Sequence, residues 1–384
     1  MRILNLFLAV AVTAGAAIAL REPDERRNPE VLAAAALNQS PPDVQTAVRL
    51  YTSALERDAA NPYRWADLGS AFEAAQDIPN ASLCYGRALE LSGEIPQIWL
   101  RAANFNIEAG EIQAALPLAG RVLRTVPDYD AVLFGYFDRL GVSAASVLDE
   151  IRNDRRATYS FAQYLIGARK MEQAAGVWGS AESKGFADDR LTASYIDAML
   201  LDHRYTEAWR DWIASLGAKR GDYPNQNLLF NPGFEKEPTG SVFDWRIQPS
   251  ADFDTTLDSS GAHDGARALH IQFHGTANVT YRNVIQEARV TPGKYTFQAW
   301  IRAENITTNE GPRIELADPE SPSRFQFSTD SFLGTIPWTL VSHVFTVPTG
   351  ENLMAVRIVR RTSPKFDSKI NGGFWMDSAR LTHD

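Results

Sequence analysis

His270 and His274 stand four residues apart in "ALHIQFHG", the spacing at which two imidazoles on one helical turn can share a zinc ion. Here Leu269, Ile271 and Phe273 alternate with His270, Gln272 and His274, the rhythm of a strand, on which residues four apart lie about 13 Å from each other. The two histidines are therefore not a zinc pair. The sequence has no glycine-rich phosphate loop, no Gly-x-Ser-x-Gly elbow and no His-Glu-x-x-His. Acidic residues are numerous, yet no two are set apart by their context for glycoside hydrolysis. Cys84 is the single cysteine, which excludes a disulfide framework and a cysteine metal site; its Ala-rich helical context makes it a small buried hydrophobe. What remains is the chemistry of recognition. "GKYTFQAWIRA" sets Tyr295, Phe297, Ala299 and Ile301 on one side of a strand and Thr296, Gln298, Trp300 and Arg302 on the other. An indole between an amide and a guanidinium suits a ligand that is apolar on its face and polar at its rim.

Those residues need elements to hold them. At 384 residues the chain has room for two or three domains, and 45% hydrophobic with 22% charged residues is a globular composition. The net charge of -9 offers no basic field for nucleic acid. The amino terminus carries one Arg, an apolar run from Ile3 to Leu20 and a charged stretch after it. That is the layout of an export signal with Ala17 to Ala19 as the peptidase site, or of an uncleaved anchor, since a run of about 18 residues just spans a bilayer. No cysteine follows the run, so a lipoprotein anchor is excluded. Residues 1–20 are thus expected to be a signal peptide or membrane anchor. The rest of the protein would be exported, in the periplasm or cell envelope, and touch membrane only through this segment.

An internal period of 34 runs through the first half. Ala47, Tyr51 and Ala54 recur as Ala81, Tyr85 and Ala88, then as Ala115, Ala119 and Val122; Pro62 and Trp65 recur as Pro96 and Trp99. Farther on, Ala174, Trp178 and Ala181 are echoed by Ala208, Trp212 and Ser215. Small residues at 81 and 88 let antiparallel helices approach, aromatic residues fill the space between hairpins, and the prolines mark hairpin junctions. "WADLGSAFEAAQDIPNASLCYGRAL" resembles the tetratricopeptide (TPR) repeat. The resemblance implies an α-solenoid over 28–216 whose groove takes a peptide or protein partner; a pure spacer is the plainer reading. Residues 126–156 are helical but off-register, as in a shortened hairpin, and Trp65, Trp99, Trp178 and Trp212 read as core.

After a Gly- and Pro-containing linker at 217–226, the period becomes that of strands, in "WTLVSHVFTV", "LMAVRIVR" and "GGFWMDSARL" as well as the two runs above. The fold class is multidomain, α plus all-β: helical hairpins, then a β-sandwich jelly roll over 227–384. "NLLFNPGFE", Trp245, "SSGAHDGARALHI", "VTPGKYTFQAWIRA", Trp338 and "GGFWMDSARL" follow the order seen in galactose-binding-like jelly rolls, and the segment resembles the carbohydrate-binding modules of bacterial xylanases and glucanases. The resemblance implies a sugar stacked on an aromatic ring in a shallow groove. Trp300, Gln298 and Arg302 are the expected ligand face, with Gln272 and His270 on a neighbouring strand, while Trp245, Trp338 and Trp375 read as core. The competing reading packs Trp300 against a loop or the helical array. The resemblance also maps a structural calcium ion onto Glu235 and Asp377, although calcium wants six to eight oxygens and both carboxylates read equally as caps for backbone amides. No other cofactor is implied. The reading is an exported, non-catalytic adaptor, with a protein partner on the helices and polysaccharide on the jelly roll, in a setting of surface polysaccharide assembly. The alternative is an assembly protein whose jelly roll docks protein and binds no sugar.

Overall fold

The computed structural model describes residues 28–350 and 352–384; residues 1–20, expected to be a signal peptide or membrane anchor, lie outside them. The described residues form twelve α-helices followed by two antiparallel five-stranded sheets. No described helix is long and apolar enough to cross a membrane. By compactness the described residues divide into two units, 28–161 and 162–384.

The first unit holds α1 (Pro29–Leu37), α2 (Val44–Arg57), α3 (Pro62–Ala74), α4 (Ile78–Ser92), α5 (Pro96–Glu108), α6 (Ile112–Thr125), α7 (Asp130–Arg139), α8 (Ala144–Ile151) and the start of α9 (Arg155–Gly167). Asn61 accepts the N–H of Tyr63 ahead of Pro62, and Asp77 that of Asn80, so each cap sits where the hairpin turns. α1 packs on α2, α3 on α4, and α5 on α6. At Gly69 a Cβ would stand 3.1 Å from the Tyr85 ring, which shows how closely α3 meets α4. The period of 34 reappears in the contacts: Arg64 bonds Glu30 at 2.6 Å and Arg101 bonds Asp67 at 2.7 Å, each across 34 residues. The turns inside hairpins pass through left-handed φ at Gln76 and Gly110, again 34 apart. Residues 126–156 give the short helices α7 and α8, of 10 and 8 residues. Trp99 is buried and Trp65 half-buried.

The second unit takes the rest of α9 and continues with α10 (Met171–Ser183), α11 (Asp189–Leu201) and α12 (Tyr205–Leu216), where Trp178 stacks on Tyr195 at 4.4 Å. Residues 217–226 are short turns, and Tyr223 is buried there against Phe230, which also meets Trp212 edge-on. The strands are β1 (Arg246–Ile247), β2 (Phe253–Asp258), β3 (Ala268–His274), β4 (Tyr281–Arg289), β5 (Gly293–Ile306), β6 (Arg313–Ala317), β7 (Gln326–Ser328), β8 (Gly334–Val347), β9 (Leu353–Arg360) and β10 (Asn371–His383). The first sheet runs β1-β4-β9-β6-β7 and the second β2-β3-β10-β5-β8. Their inner faces enclose one core that includes Phe234, Trp245, Phe273, Tyr281, Phe297 and Phe374. The predicted alternation holds in β3 and β5, where Leu269, Ile271, Phe273, Tyr295, Phe297 and Ile301 are buried.

"NLLFNPGFE" works as a clasp. The Asn227 side chain accepts from Leu381 N–H and donates to the Ala379 carbonyl, tying the entry segment to β10. Asn231 closes its turn onto both main-chain groups of Lys236, and its carbonyl accepts the indole N–H of Trp245 at 3.0 Å. The outer face of the first sheet meets α11 and α12: Arg246 pairs with Asp197, Tyr205 bonds Glu320, and the Arg289 guanidinium lies 5.2 Å from the Trp209 ring.

Candidate functional site

Gln298, Trp300 and Arg302 of β5 share the outer face of the second sheet with His270 and Gln272 of β3, because the residues between them fill the core. β3 and β5 are not neighbours, however. β10 runs between them and sets Trp375 opposite both Arg302 and His270. Sequence reasoning placed Trp375 in the core; the structure puts it on the outer face, and the buried Phe374 and Met376 on either side show why. That alternation was present in "GGFWMDS".

Trp375 is only 8% exposed, yet it stands outside the core cluster. His270 lies parallel to it at 4.2 Å, the Arg302 guanidinium sits 4.5 Å from its ring, and its N–H donates to Asp258 at 3.1 Å. With both ring faces covered, Trp375 is a packed plate and not a platform. Burial holds the His270 imidazole below its usual pKa, and its Nε2 is buried without a hydrogen-bond partner. Gln272 donates to the Phe273 carbonyl at 3.0 Å.

Trp300 is half-buried and open on part of its surface. A loop does pack on it, as the competing reading held: His263 stacks at 3.9 Å and meets Trp338 edge-on at 5.5 Å. Trp338 is half-buried and stands apart from the core cluster, which corrects its assignment to the core. Beside this cluster Leu340, opposite Trp300 on β8, is 44% exposed and Val344 51%. Polar groups edge it: Arg302 pairs with Glu304 at 2.8 Å and Gln298 reaches Ser342 at 3.5 Å.

Glu235 and Asp377 converge on the loop that carries His263. Asp377 Oδ2 accepts the N–H groups of His263 and Asp264, and Oδ1 accepts that of Ser378. Glu235 Oε1 accepts those of Ala266 and Arg267 at 2.9 and 3.1 Å. Three of the four carboxylate oxygens thus accept main-chain N–H groups, the capping arrangement, and a calcium ion would have to draw its remaining ligands from backbone carbonyls. Among the described residues no three His, Cys, Asp or Glu side chains gather to hold a metal. Through these contacts the carboxylates fasten the loop. Gly265 has φ +69, and a Cβ there would stand 2.2 Å from Glu235 Oε1.

The arrangement can hold a ligand by apolar contact and hydrogen bonding. No family model matches the chain, and no curated protein matches it. Among solved structures it is similar to TmCBM61, determined with beta-1,4-galactotriose: 21% identity, 41% of this chain, 99% of that one, TM-score 0.29. A family 16 carbohydrate-binding module gives 18% identity over 41% and 100% of the two chains, TM-score 0.30. The CBM22-1 xylan-binding domain of Paenibacillus barcinonensis Xyn10C gives 9% over 39% and 90%, TM-score 0.27. These likenesses lie on the carboxy-terminal β part; at such scores they add nothing to the strand order already described.

Proposed function

We propose that this protein is an exported, non-catalytic adaptor whose β-sandwich recognises a glycan and whose helical hairpins form a TPR-like scaffold for a protein partner. The observation that carries the first half is the aromatic step of Trp300, His263 and Trp338, half-exposed beside Arg302, Glu304 and Gln298. A pyranose has an apolar C–H face and a hydroxyl rim, so an indole edged by ionic and amide groups matches it. The second half is supported by ion pairs and left-handed turns repeating every 34 residues. Export rests on the apolar amino-terminal run, and a role in surface polysaccharide assembly on the pairing of two binding modules. No cofactor is required.

A second reading has its own support: the first sheet's outer face is already engaged by α11 and α12 through Arg246, Glu320 and Arg289. In that reading the jelly roll docks protein only. Native gels containing soluble polysaccharides decide between them. The full chain is expected to be retarded by at least one neutral glycan, and Trp300→Ala to weaken that about tenfold, equal to about 1.4 kcal/mol. No retardation across a broad glycan set would sink the glycan reading in favour of the docking one.

A further inference from the structure

The outer face of the second sheet continues past Trp300 along three adjoining strands. On β5, Gln298 and Thr296 lie on the same side as Trp300, since Phe297 and Ala299 between them are buried. β8 sets Leu340, Ser342 and Val344 opposite these three, all exposed. On the other flank, β10 sets Asp377 opposite Trp300, Arg380 opposite Gln298 and Thr382 opposite Thr296. A β-bulge at Ser378, with left-handed φ +49, adds one residue to β10 between Asp377 and Arg380. Without it, the alternation that puts Asp377 on the outer face would put Ala379 there too and turn Arg380 into the core. With it, Ala379 and Leu381 are buried and Arg380 is exposed on the Trp300 face. Diagonal neighbours on adjoining strands lie about 7–8 Å apart, within the reach of a guanidinium.

The charges around it are already engaged. Arg302 pairs with Glu304, Lys294 lies 3.8 Å from Asp384, Asp377 holds loop amides, and Asp264 accepts the N–H of Gly265. Among the described residues Arg380 has no ion pair and no hydrogen bond, so its donors are free beside the aromatic step. A planar fork of N–H groups matches a carboxylate through two parallel bonds. The neighbours specify what carries that carboxylate. Trp300, Leu340 and Val344 offer apolar surface to C–H faces, and Gln298, Ser342 and Thr382 offer amide and hydroxyl groups to a hydroxyl rim. Leu340 to Val344 spans about 13 Å, longer than one pyranose ring, which suits a chain. The protein's net charge of -9 repels a dense polyanion, whereas an isolated carboxylate among neutral sugars meets Arg380 without that cost.

We infer, resting on the glycan-recognising reading of the sandwich, that Arg380 makes the Trp300 face select a sparsely acidic glycan: a largely neutral chain carrying a carboxylate, as on a uronic acid, next to the sugar that rests on Trp300. The carboxylate accepts N–H bonds from the guanidinium, while the neutral sugars keep the indole and the amide. Arg380 is exposed, so Arg380→Gln removes the charge without disturbing the core, and Arg380→Lys keeps the charge but not the planar fork.

The full chain, the two Arg380 variants and Trp300→Ala are compared in native gels at about 50 mM and about 0.5 M salt. The gels contain glucuronoxylan or xanthan, the same two polysaccharides with their carboxyl groups reduced to alcohols, neutral β-1,4-galactan, or dextran sulfate. At least one acidic glycan is expected to retard the parent about fivefold more strongly than its reduced form, with high salt narrowing the gap. Arg380→Gln should abolish the gap while binding the reduced form as the parent does, Arg380→Lys should keep part of it, and Trp300→Ala should weaken both forms. Equal retardation by native and reduced glycans, retardation by neutral glycans alone, or a gap that Arg380→Gln leaves intact overturns the role of Arg380 and keeps the proposed function. So does retardation by dextran sulfate as strong as that by the acidic glycans. Absence of retardation by every polysaccharide overturns both.

Discussion

The imidazole of His263 lies against the indole of Trp300, centroids 3.9 Å apart and planes 16° from parallel. The two residues come from different elements, and their meeting is arranged by a third. Asp377 on β10 accepts the main-chain N–H groups of His263 and Asp264 at 2.9 and 3.0 Å and fixes the loop over the sheet. The geometry of this face therefore depends on a buried carboxylate that lies beneath the loop.

Asp377→Asn should release that loop. One carboxylate oxygen becomes an amide N–H facing other donors, a loss of about 1–3 kcal/mol for a buried unsatisfied group. Tryptophan emission is expected to move to longer wavelength as His263 leaves Trp300, and glycan retardation to weaken. With the amides as the loop's fasteners, a chelator should leave the melting temperature unchanged, and added calcium should not raise it. A calcium-dependent rise would show that the carboxylates hold an ion after all.

Gly373→Ala should expel Trp375 from its slot. A Cβ at Gly373 would lie 2.5 Å from the indole, and the ring is hemmed by His270 and Arg302 on its faces. Overpacking of this kind costs about 1–3 kcal/mol. The near-ultraviolet circular dichroism of the stacked aromatics is expected to fall while the far-ultraviolet spectrum stays. An unchanged near-ultraviolet spectrum would mean that the plate is not as rigid as its contacts imply.

Phe230→Ala tests how the last helices are held to the sandwich. The ring is buried between Trp212 and Tyr223, with the Lys236 ammonium 5.0 Å from its centre. Removing a buried phenylalanine costs about 3–5 kcal/mol. Limited proteolysis should then cut within 217–226 under conditions where the parent chain resists, and equal resistance would count against a packed junction.

Stability should fall as pH rises toward neutrality. Burial pushes the Glu287 carboxyl up to about 7, with Arg246 opposing and Asp197 adding to the effect, and it pushes Asp244 up to about 6. In the first unit, burial and the neighbouring Glu108 push Glu73 up to about 7. A carboxyl raised above its ordinary value of 4.5 binds a proton in the folded state that the unfolded chain releases. The stabilisation is complete below about 4.5, is lost through about 7 and stays lost above it. Melting temperature measured from about pH 5 to about pH 8 should decline, and Glu287→Gln with Glu73→Gln should flatten the decline. A parent curve that rises over this window contradicts the assignment.

Much of this architecture was legible in side-chain rhythm. Ala81, Ala88 and Trp99 are buried as their 34-residue period required, and Leu269, Ile271 and Phe273 as their alternation required. The same alternation put Trp300, Gln298, Arg302, His270 and Gln272 on one face. Trp375 and Trp338 were misplaced because their strands are hydrophobic on both sides or form an edge, and composition then says inside whatever the register.

What the sequence settles by itself is which residues lie inward along each element, because the periods of helix and strand are fixed by backbone geometry and are local. What only the tertiary structure decides is which strands become neighbours and which loop covers them. β10 divides β3 from β5, and Asp377 draws His263 onto Trp300. Those meetings join residues far apart in the chain, and no local pattern encodes them; they arise only when both sheets close on a single core.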